Sequence, residues 1–156
     1  MSVAIFALPV LALAQGIPPA GANPQVSHAI VALDQLVWKP IAPGVEMAVV
    51  FGDPDKKGGL YVIRLRCKGE VKVPPHWHAT DEHITVLEGS FWIGPGEQFD
   101  ASKLQEMKVG APAVMPAEVR HFSLSKADNV IELFGEAPFV VNFVNPEDDP
   151  RNAKNK

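Results

Sequence analysis

The chain has 156 residues, of which 47% are hydrophobic and 21% are charged, and its formal net charge is -4. This length suits one domain that can bury a core without disulfides. The cations are scattered along the acidic chain, which argues against a nucleic-acid or anionic-membrane surface. We therefore expect a small-molecule partner, no nucleic acid and no membrane span.

An apolar run occupies the start of the chain. Residues 3–14 end in Ala12-Leu13-Ala14, which is typical of the hydrophobic region and small-residue cleavage site of a secretory signal. The run is too short to span a membrane, and no Lys or Arg precedes Lys39, although such signals carry a basic start. We predict a signal peptide over residues 1–14 and a periplasmic or secreted protein. The alternative is a packed segment of a cytoplasmic protein.

The rest of the chain divides into an N-terminal arm over residues 15–44, a β-rich domain over residues 45–145 and a solvated tail over residues 146–156. Short apolar or alternating runs separated by turn residues predict the strands. They cover residues 47–51, 61–67, 71–73, 83–87, 91–93, 113–115, 121–124, 130–134 and 139–143. Such even spacing predicts an all-β jelly roll. One or two short helices are expected, from Ser27 or His28 to Val37 and from Asp100 or Ser102 to about Met107.

The single cysteine follows the alternation of its strand. Tyr61, Ile63, Leu65 and Cys67 share one face, and the cationic residues between them share the other. We expect Cys67 to be a small buried hydrophobe, because no partner for a reactive thiol is evident.

Two histidines near the middle of the chain have a spacing that is typical of metal ligands. His76 and His78 are two residues apart, so in a strand both project to one face while Trp77 projects to the other. Glu82 lies four residues further on, and His121 lies in a second strand-like segment. Three imidazoles and one carboxylate predict a site for a divalent transition metal, Fe, Mn, Ni, Co or Zn.

Two other interpretations of these residues were weighed. His83 is the alternative ligand, but strand alternation turns it away from Glu82. A helical zinc-protease motif is rejected, because on a helix residues five apart are rotated by roughly 140° from one another. Pro74 and Pro75 also disfavour a helix just upstream.

Two spaced motifs resemble those of the cupin superfamily. The first comprises Gly69, His76, His78, Glu82 and Gly89, and the second comprises Gly110, Pro116, Glu118 and His121. The first gap is one residue longer than usual, Glu118 stands where glycine is usual, and Ser125 stands where asparagine is frequent. The likeness spans residues 45 to 145 and is to small single-domain cupins of unassigned function.

The resemblance implies a cupin-type jelly roll, a double-stranded β-helix barrel, in which His76, His78, Glu82 and His121 bind one metal ion. It also implies a homodimer, for which the apolar residues 29–38 offer a packing arm.

Function is less closely defined. The favoured hypothesis is a metal-dependent enzyme on a small molecule, of oxygenase, isomerase or decarboxylase type. Glu132 is the candidate acid or base, while Glu88 beside a turn glycine is expected to be solvated. The alternative is a non-catalytic small-ligand or metal-binding module of the cell envelope.

Export gives the first testable prediction. The natively produced protein should lose the segment through about Ala14, because the run that ends there has the composition of a cleaved signal. Intact-mass measurement of protein from separated cell fractions tests this. A full-length species confined to the cytosol would contradict it.

Overall fold

Two antiparallel sheets organise the protein, whose structure, a computed structural model, describes residues 30–155. In spatial order the larger sheet contains β1 (Lys39–Ala42), β2 (Val45–Phe51), β3 (Leu60–Cys67), β10 (Asn129–Glu136), β5 (Glu82–Glu88) and β8 (Pro112–Met115). The smaller contains β11 (Asn142–Phe143), β4 (Val71–Trp77), β9 (His121–Ser125), β6 (Ser90–Pro95) and β7 (Gln105–Lys108). The predicted all-β jelly roll is confirmed.

The core lies between the sheets and follows the period-2 alternation of the strands. Ile63 on β3, Val86 on β5 and Ile131 on β10 are buried together with their same-face neighbours. Cys67 is buried on the inner face of β3, as its strand pattern predicted. The alternating sequence therefore encodes the inner surface directly.

Short 3₁₀ segments replace the expected helices. Asp100 accepts a hydrogen bond from the backbone N–H of Ser102, but this segment covers only Ala101–Lys103. The predicted continuation to Met107 is wrong, because residues 105–108 form β7 and Met107 is buried opposite Phe91 of β6. Three further 3₁₀ segments cover Leu33–Gln35, Pro146–Asp148 and Pro150–Asn155.

The first strand lies within the region predicted as an arm. β1 begins at Lys39, before the domain boundary expected at Val45, and pairs with β2 at the edge of the larger sheet. An edge position tolerates Pro40, because its missing N–H leaves no interior ladder bond unmade. The predicted signal segment, the first part of the arm and His28 lie outside the described residues. Within residues 30–155 no helix is long and apolar enough to cross a membrane.

A tight turn delivers the chain into β9. Glu118 adopts a left-handed conformation with φ of 64°, at the position where glycine is usual in the second cupin motif. Its N–H donates to the carbonyl of His78 at 2.8 Å, and the N–H of Val119 donates to Pro116 at 3.1 Å. The backbone therefore forms the turn without glycine, at the cost of placing a Cβ in a conformation that L-residues disfavour.

Replacing Glu118 by glycine should therefore stabilise the protein. The left-handed conformation costs a non-glycine residue about 1–2 kcal/mol, and the added freedom of glycine in the unfolded chain offsets part of this. The free energy of unfolding should rise by about 0.5–1 kcal/mol in urea denaturation. Glu118→Ala is the matched control, because it removes the side chain but keeps the Cβ. Equal effects of the two substitutions would contradict backbone strain as the cause.

Candidate metal centre

The four predicted ligands meet at one end of the barrel. His76 of β4 lies opposite His121, the first residue of β9, and one ring nitrogen of His76, His78 and His121 lies within 4.8 Å of the other two. Glu82, at the start of β5, places Oε1 3.5 Å from His78 Nε2 and Oε2 3.6 Å from His121 Nε2. All four are 6% exposed or less. Two sheets thus contribute to one buried cluster.

An irregularity in β4 makes this convergence possible. The pairing of β4 with β9 shifts register between Val73 and His76, across Pro74 and Pro75. In a regular strand, residues three apart point to opposite faces, but Val73 and His76 both line the inner cavity. The bulge therefore turns the histidine pair inward after the hydrophobic start of the strand.

Backbone carbonyl groups orient all three imidazole rings. Nδ1 of His76 lies 2.7 Å from the carbonyl oxygen of Pro74. Nδ1 of His78 lies 2.9 Å from the carbonyl oxygen of Val140, and Nδ1 of His121 lies 3.0 Å from that of Val119. Because a carbonyl oxygen can only accept, each Nδ1 carries the proton and each Nε2 keeps its lone pair. That tautomer presents three nitrogen donors to a common point, as metal-binding histidines do.

One of these nitrogens lacks any partner. His78 Nε2 is buried and makes no hydrogen bond among the described residues. An unpaired buried polar atom is costly, and a cation at the common point would satisfy it. The imidazole and carboxylate donors together suit a first-row transition metal, so the residues fit the group that cupins hold.

The electrostatics also favour metal-ready ligands. Burial lowers the pKa of His76 from 6.5 to about 4 and lowers the pKa of His78 as well. Burial alone would raise the pKa of Glu82, but its contacts with His121 and the other two histidines outweigh this and lower it. His76, His78 and Glu82 are therefore unprotonated donors at neutral pH.

A small apolar cavity of about 90 Å³ adjoins the cluster. Apart from the four candidate ligands, only Ser123 and Cys67 contribute polar side-chain atoms to its lining. The remaining walls are aliphatic or phenyl groups, including Ile84, Phe91 and Leu133. Water is poorly accommodated on such a surface, so a bound ion would be the dominant polar feature.

Glu132 does not face this cavity, which corrects its predicted position inside the barrel. Its neighbours Ile131 and Leu133 line the cavity, whereas its carboxylate Oε2 lies 2.9 Å from Arg64 Nε in a part-exposed ion pair. Strand alternation accounts for this placement, because Ile131 and Leu133 take the inward positions of β10. The geometry therefore gives Glu132 no contact with the site.

His83 also faces away from the cluster. Its ring stacks on Phe134 with centroids 4.1 Å apart and planes inclined by 10°. Both residues lie on the outer face of the larger sheet, where β5 and β10 pair. Glu82 is therefore the residue of this pair that lies with the histidines.

Sequence reasoning missed one contributor, the segment over residues 137–143. Phe139 stacks on the His78 ring with centroids 5.4 Å apart, and the carbonyl of Val140 accepts its Nδ1–H. Backbone bonds from Phe139 N to Pro54 O and from Val144 N to Pro75 O fix this segment. No sequence signal marks Val140, because the group it supplies is a backbone carbonyl that any residue has.

Comparison with known proteins agrees with this architecture. The family described as the ChrR cupin-like domain matches residues 26–102. The polyketide cyclase RemF from Streptomyces resistomycificus has a TM-score of 0.63 and 17% identity, covering 83% of this chain and 94% of its own. KdgF from Halomonas sp. has a TM-score of 0.55 and 19% identity, with 70% of this chain and 94% of KdgF covered. The structure of Rhodobacter sphaeroides SigE in complex with the anti-sigma ChrR has a TM-score of 0.52 and 20% identity, with 67% of this chain and 51% of the matched chain covered.

These likenesses define a class. No curated protein matched the chain, and the solved structures share too little sequence to indicate more than the fold. A two-sheet barrel with three inward histidines at one end is the cupin architecture. The chain has the cupin fold, and about half of it matches the ChrR cupin-like domain.

The buried histidines generate a prediction for the metal-free protein. Between pH 6.5 and about 4 an unfolded chain takes up a proton on His76 that the folded chain resists. The unfolded state then binds more protons, so stability falls as the pH falls through this window. Urea denaturation in EDTA should show a loss of about 1–3 kcal/mol.

Two variants check the origin of this loss. His76→Leu should reduce the pH dependence, leaving the part due to His78 and Glu82, whereas His83→Leu should keep it unchanged because that ring lies on the outer face. The same slope in wild type and His76→Leu would contradict the assignment.

Proposed function

We propose that His76, His78, Glu82 and His121 hold one divalent transition metal ion and that a small molecule binds at this site. The observation that carries the proposal is the convergence of three imidazoles, with one nitrogen of each within 4.8 Å of the others and each Nδ1 bonded to a backbone carbonyl. Fe, Mn, Ni, Co and Zn all suit this donor set.

The charge of the site supports a bound cation. Glu82 is a carboxylate buried to 5% exposure with no Lys or Arg in contact among the described residues. Neutral histidines do not balance the charge of a buried carboxylate, whereas a divalent ion would compensate it directly. Histidines bind metals in the neutral form, so the occupied site would carry a net charge of about +1.

The favoured function is a metal-dependent enzyme of oxygenase, isomerase or decarboxylase type. When bound, the ion would supply a Lewis acid or an O₂-binding centre. The chain's own contribution would be to orient the imidazoles, through Pro74, Val119 and Val140, and to exclude water through the apolar walls. With Glu132 outside the barrel, no carboxylate or imidazole beyond the ligands lines the cavity, so the ion would supply most of the chemistry.

A second candidate function is a non-catalytic ligand-binding or metal-binding module of the cell envelope. The apolar lining favours it, since an enzyme that moves protons usually places an acid or base beside the substrate. The match to the ChrR cupin-like domain adds support, because ChrR is named as an anti-sigma protein in complex with SigE. Such a module would pass a metal or ligand signal to a protein partner.

Export and assembly remain proposals from the sequence. A periplasmic or secreted protein is proposed on the apolar start, and a homodimer on the family resemblance and residues 29–38. Sedimentation velocity giving only a monomer would reject the dimer.

Metal binding should depend on the histidines and not on Glu132. His78→Ala should lower metal affinity about a hundredfold or more, because it removes a direct ligand, and substitution even of outer hydrogen-bond partners costs 10–100-fold. Glu132→Gln is the control, since it alters a carboxylate outside the barrel. Metal content after dialysis and calorimetric titration with Zn(II) measure both, with circular dichroism to verify the fold. Unchanged Zn(II) affinity in His78→Ala would reject the site.

Turnover separates the two functions. Protein loaded separately with Fe(II), Mn(II), Ni(II) or Zn(II) is screened on diols, keto acids, dicarboxylates and sugars, with and without O₂. Turnover that needs Fe(II) and O₂ supports an oxygenase, and O₂-independent turnover supports an isomerase or decarboxylase. Tight ligand binding without turnover for any metal supports the binding module.

A further inference from the structure

The inner cavity is too small to hold a substrate-sized molecule. Its volume is about 90 Å³, whereas pockets for small molecules typically measure about 300–1,000 Å³. A molecule that reaches the metal site must therefore place most of its body elsewhere.

A larger cleft adjoins the same site between the edge strands β7 and β8. Its volume is about 340 Å³, and Ile93 and His121 belong both to its walls and to those of the inner cavity. Two other surface pockets, beside Phe99, share no residue with the inner cavity. Among these spaces, the cleft alone shares a wall residue, His121, with the candidate ligands and the inner cavity.

The topology explains why the cleft exists. β7 ends the smaller sheet and β8 ends the larger sheet, and a turn over residues 109–111 joins them. The turn is closed by bonds from Ala111 N to Lys108 O and from Gly110 N to Val86 O. The strands are held together at this end and belong to different sheets beyond it, so a wedge-shaped space opens beside His121.

The walls of the cleft are largely apolar. Met107, Ala113 and Met115 come from the two strands, and Val119 from the turn before β9. Gln105 and Glu106 are exposed and supply polar groups. Methionine side chains adapt to different apolar shapes, so this surface suits the hydrocarbon part of a ligand.

We propose that the cleft binds the apolar body of a small monocarboxylate whose carboxylate reaches the metal site past Ile93 and His121. This inference rests on the proposed metal site for the carboxylate end. The site with its ion would carry about +1 charge, which a single carboxylate neutralises, while the cleft offers an apolar surface for a short chain or ring.

Methionine NMR tests the cleft directly. In protein labelled with ¹³C at the methionine methyl groups and loaded with Zn(II), hexanoate should shift the Met107 and Met115 resonances. Met47 lies on β2 outside the cleft and serves as an internal control. Acetate has almost no apolar body and should leave both cleft resonances unchanged.

A pair of substitutions on one strand sharpens the test. Ala113 lines the cleft, while the next residue, Val114, is 49% exposed. Ala113→Trp should fill the cleft and weaken hexanoate binding at least tenfold, without altering zinc content or acetate binding. Val114→Trp should leave hexanoate binding, acetate binding and zinc content unchanged. Hexanoate binding that is insensitive to Ala113→Trp, or that leaves Met107 and Met115 unshifted, overturns the proposal.

Failure of the metal site would give a different result. Zinc content is measured on the same samples, and hexanoate is also titrated into metal-free protein. Absent zinc with shifted cleft methionines rejects the metal site and keeps the cleft. Bound zinc with unshifted methionines rejects the cleft alone.

Discussion

The bonds between imidazole Nδ1 groups and backbone carbonyls are the constraint on which the site depends. Each carbonyl fixes both the tautomer and the direction of its ring, so the three Nε2 atoms share one target. The carbonyls come from Pro74 in β4, Val119 in the turn before β9 and Val140 in the 137–143 segment. Local folding of three separate parts of the chain therefore determines the chemistry of one point.

A second group of buried polar side chains lies in the barrel interior away from the histidines. Away from the histidines, Asn129 donates to Ser90 O and to Ser125 Oγ, both at 2.8 Å. Ser125 stands where cupins frequently have asparagine, and here β10 supplies an asparagine to the same region. These hydrogen bonds join β10 to β6 and β9, although Asn129 Oδ1, like His78 Nε2 at the other end, is buried without a hydrogen-bond partner among the described residues.

Much of the fold could be predicted because apolar and polar residues alternate along the barrel strands. The histidines meet as their spacing predicts, because His76 and His78 lie at and just beyond the end of β4 and His121 begins β9. The side of the sheet on which Glu132 lies could not be predicted. In the run Val130-Ile131-Glu132-Leu133-Phe134 both faces of the strand carry apolar residues, so the alternation does not show which face is inward. The sequence predicts a helix in place of β7 because Asp100 does cap a turn, but the pairing of Met107 with Phe91 ends that turn early. The bulge at Pro74-Pro75 likewise depends on the partner strand.

The polarity of the interior limits what the protein can do with a ligand. Walls of Ile84, Phe91 and Leu133 contribute no hydrogen bonds, so they select for shape and size more than for functional groups. Discrimination by an apolar pocket is modest, about 1–3 kcal/mol per methylene. Under the proposed function, strong selectivity would come from an ion held by His76, His78, Glu82 and His121, which would favour charged or chelating groups. Because an apolar cleft lies beside His121, one ligand would be selected both by the shape of its apolar part and by its charged group.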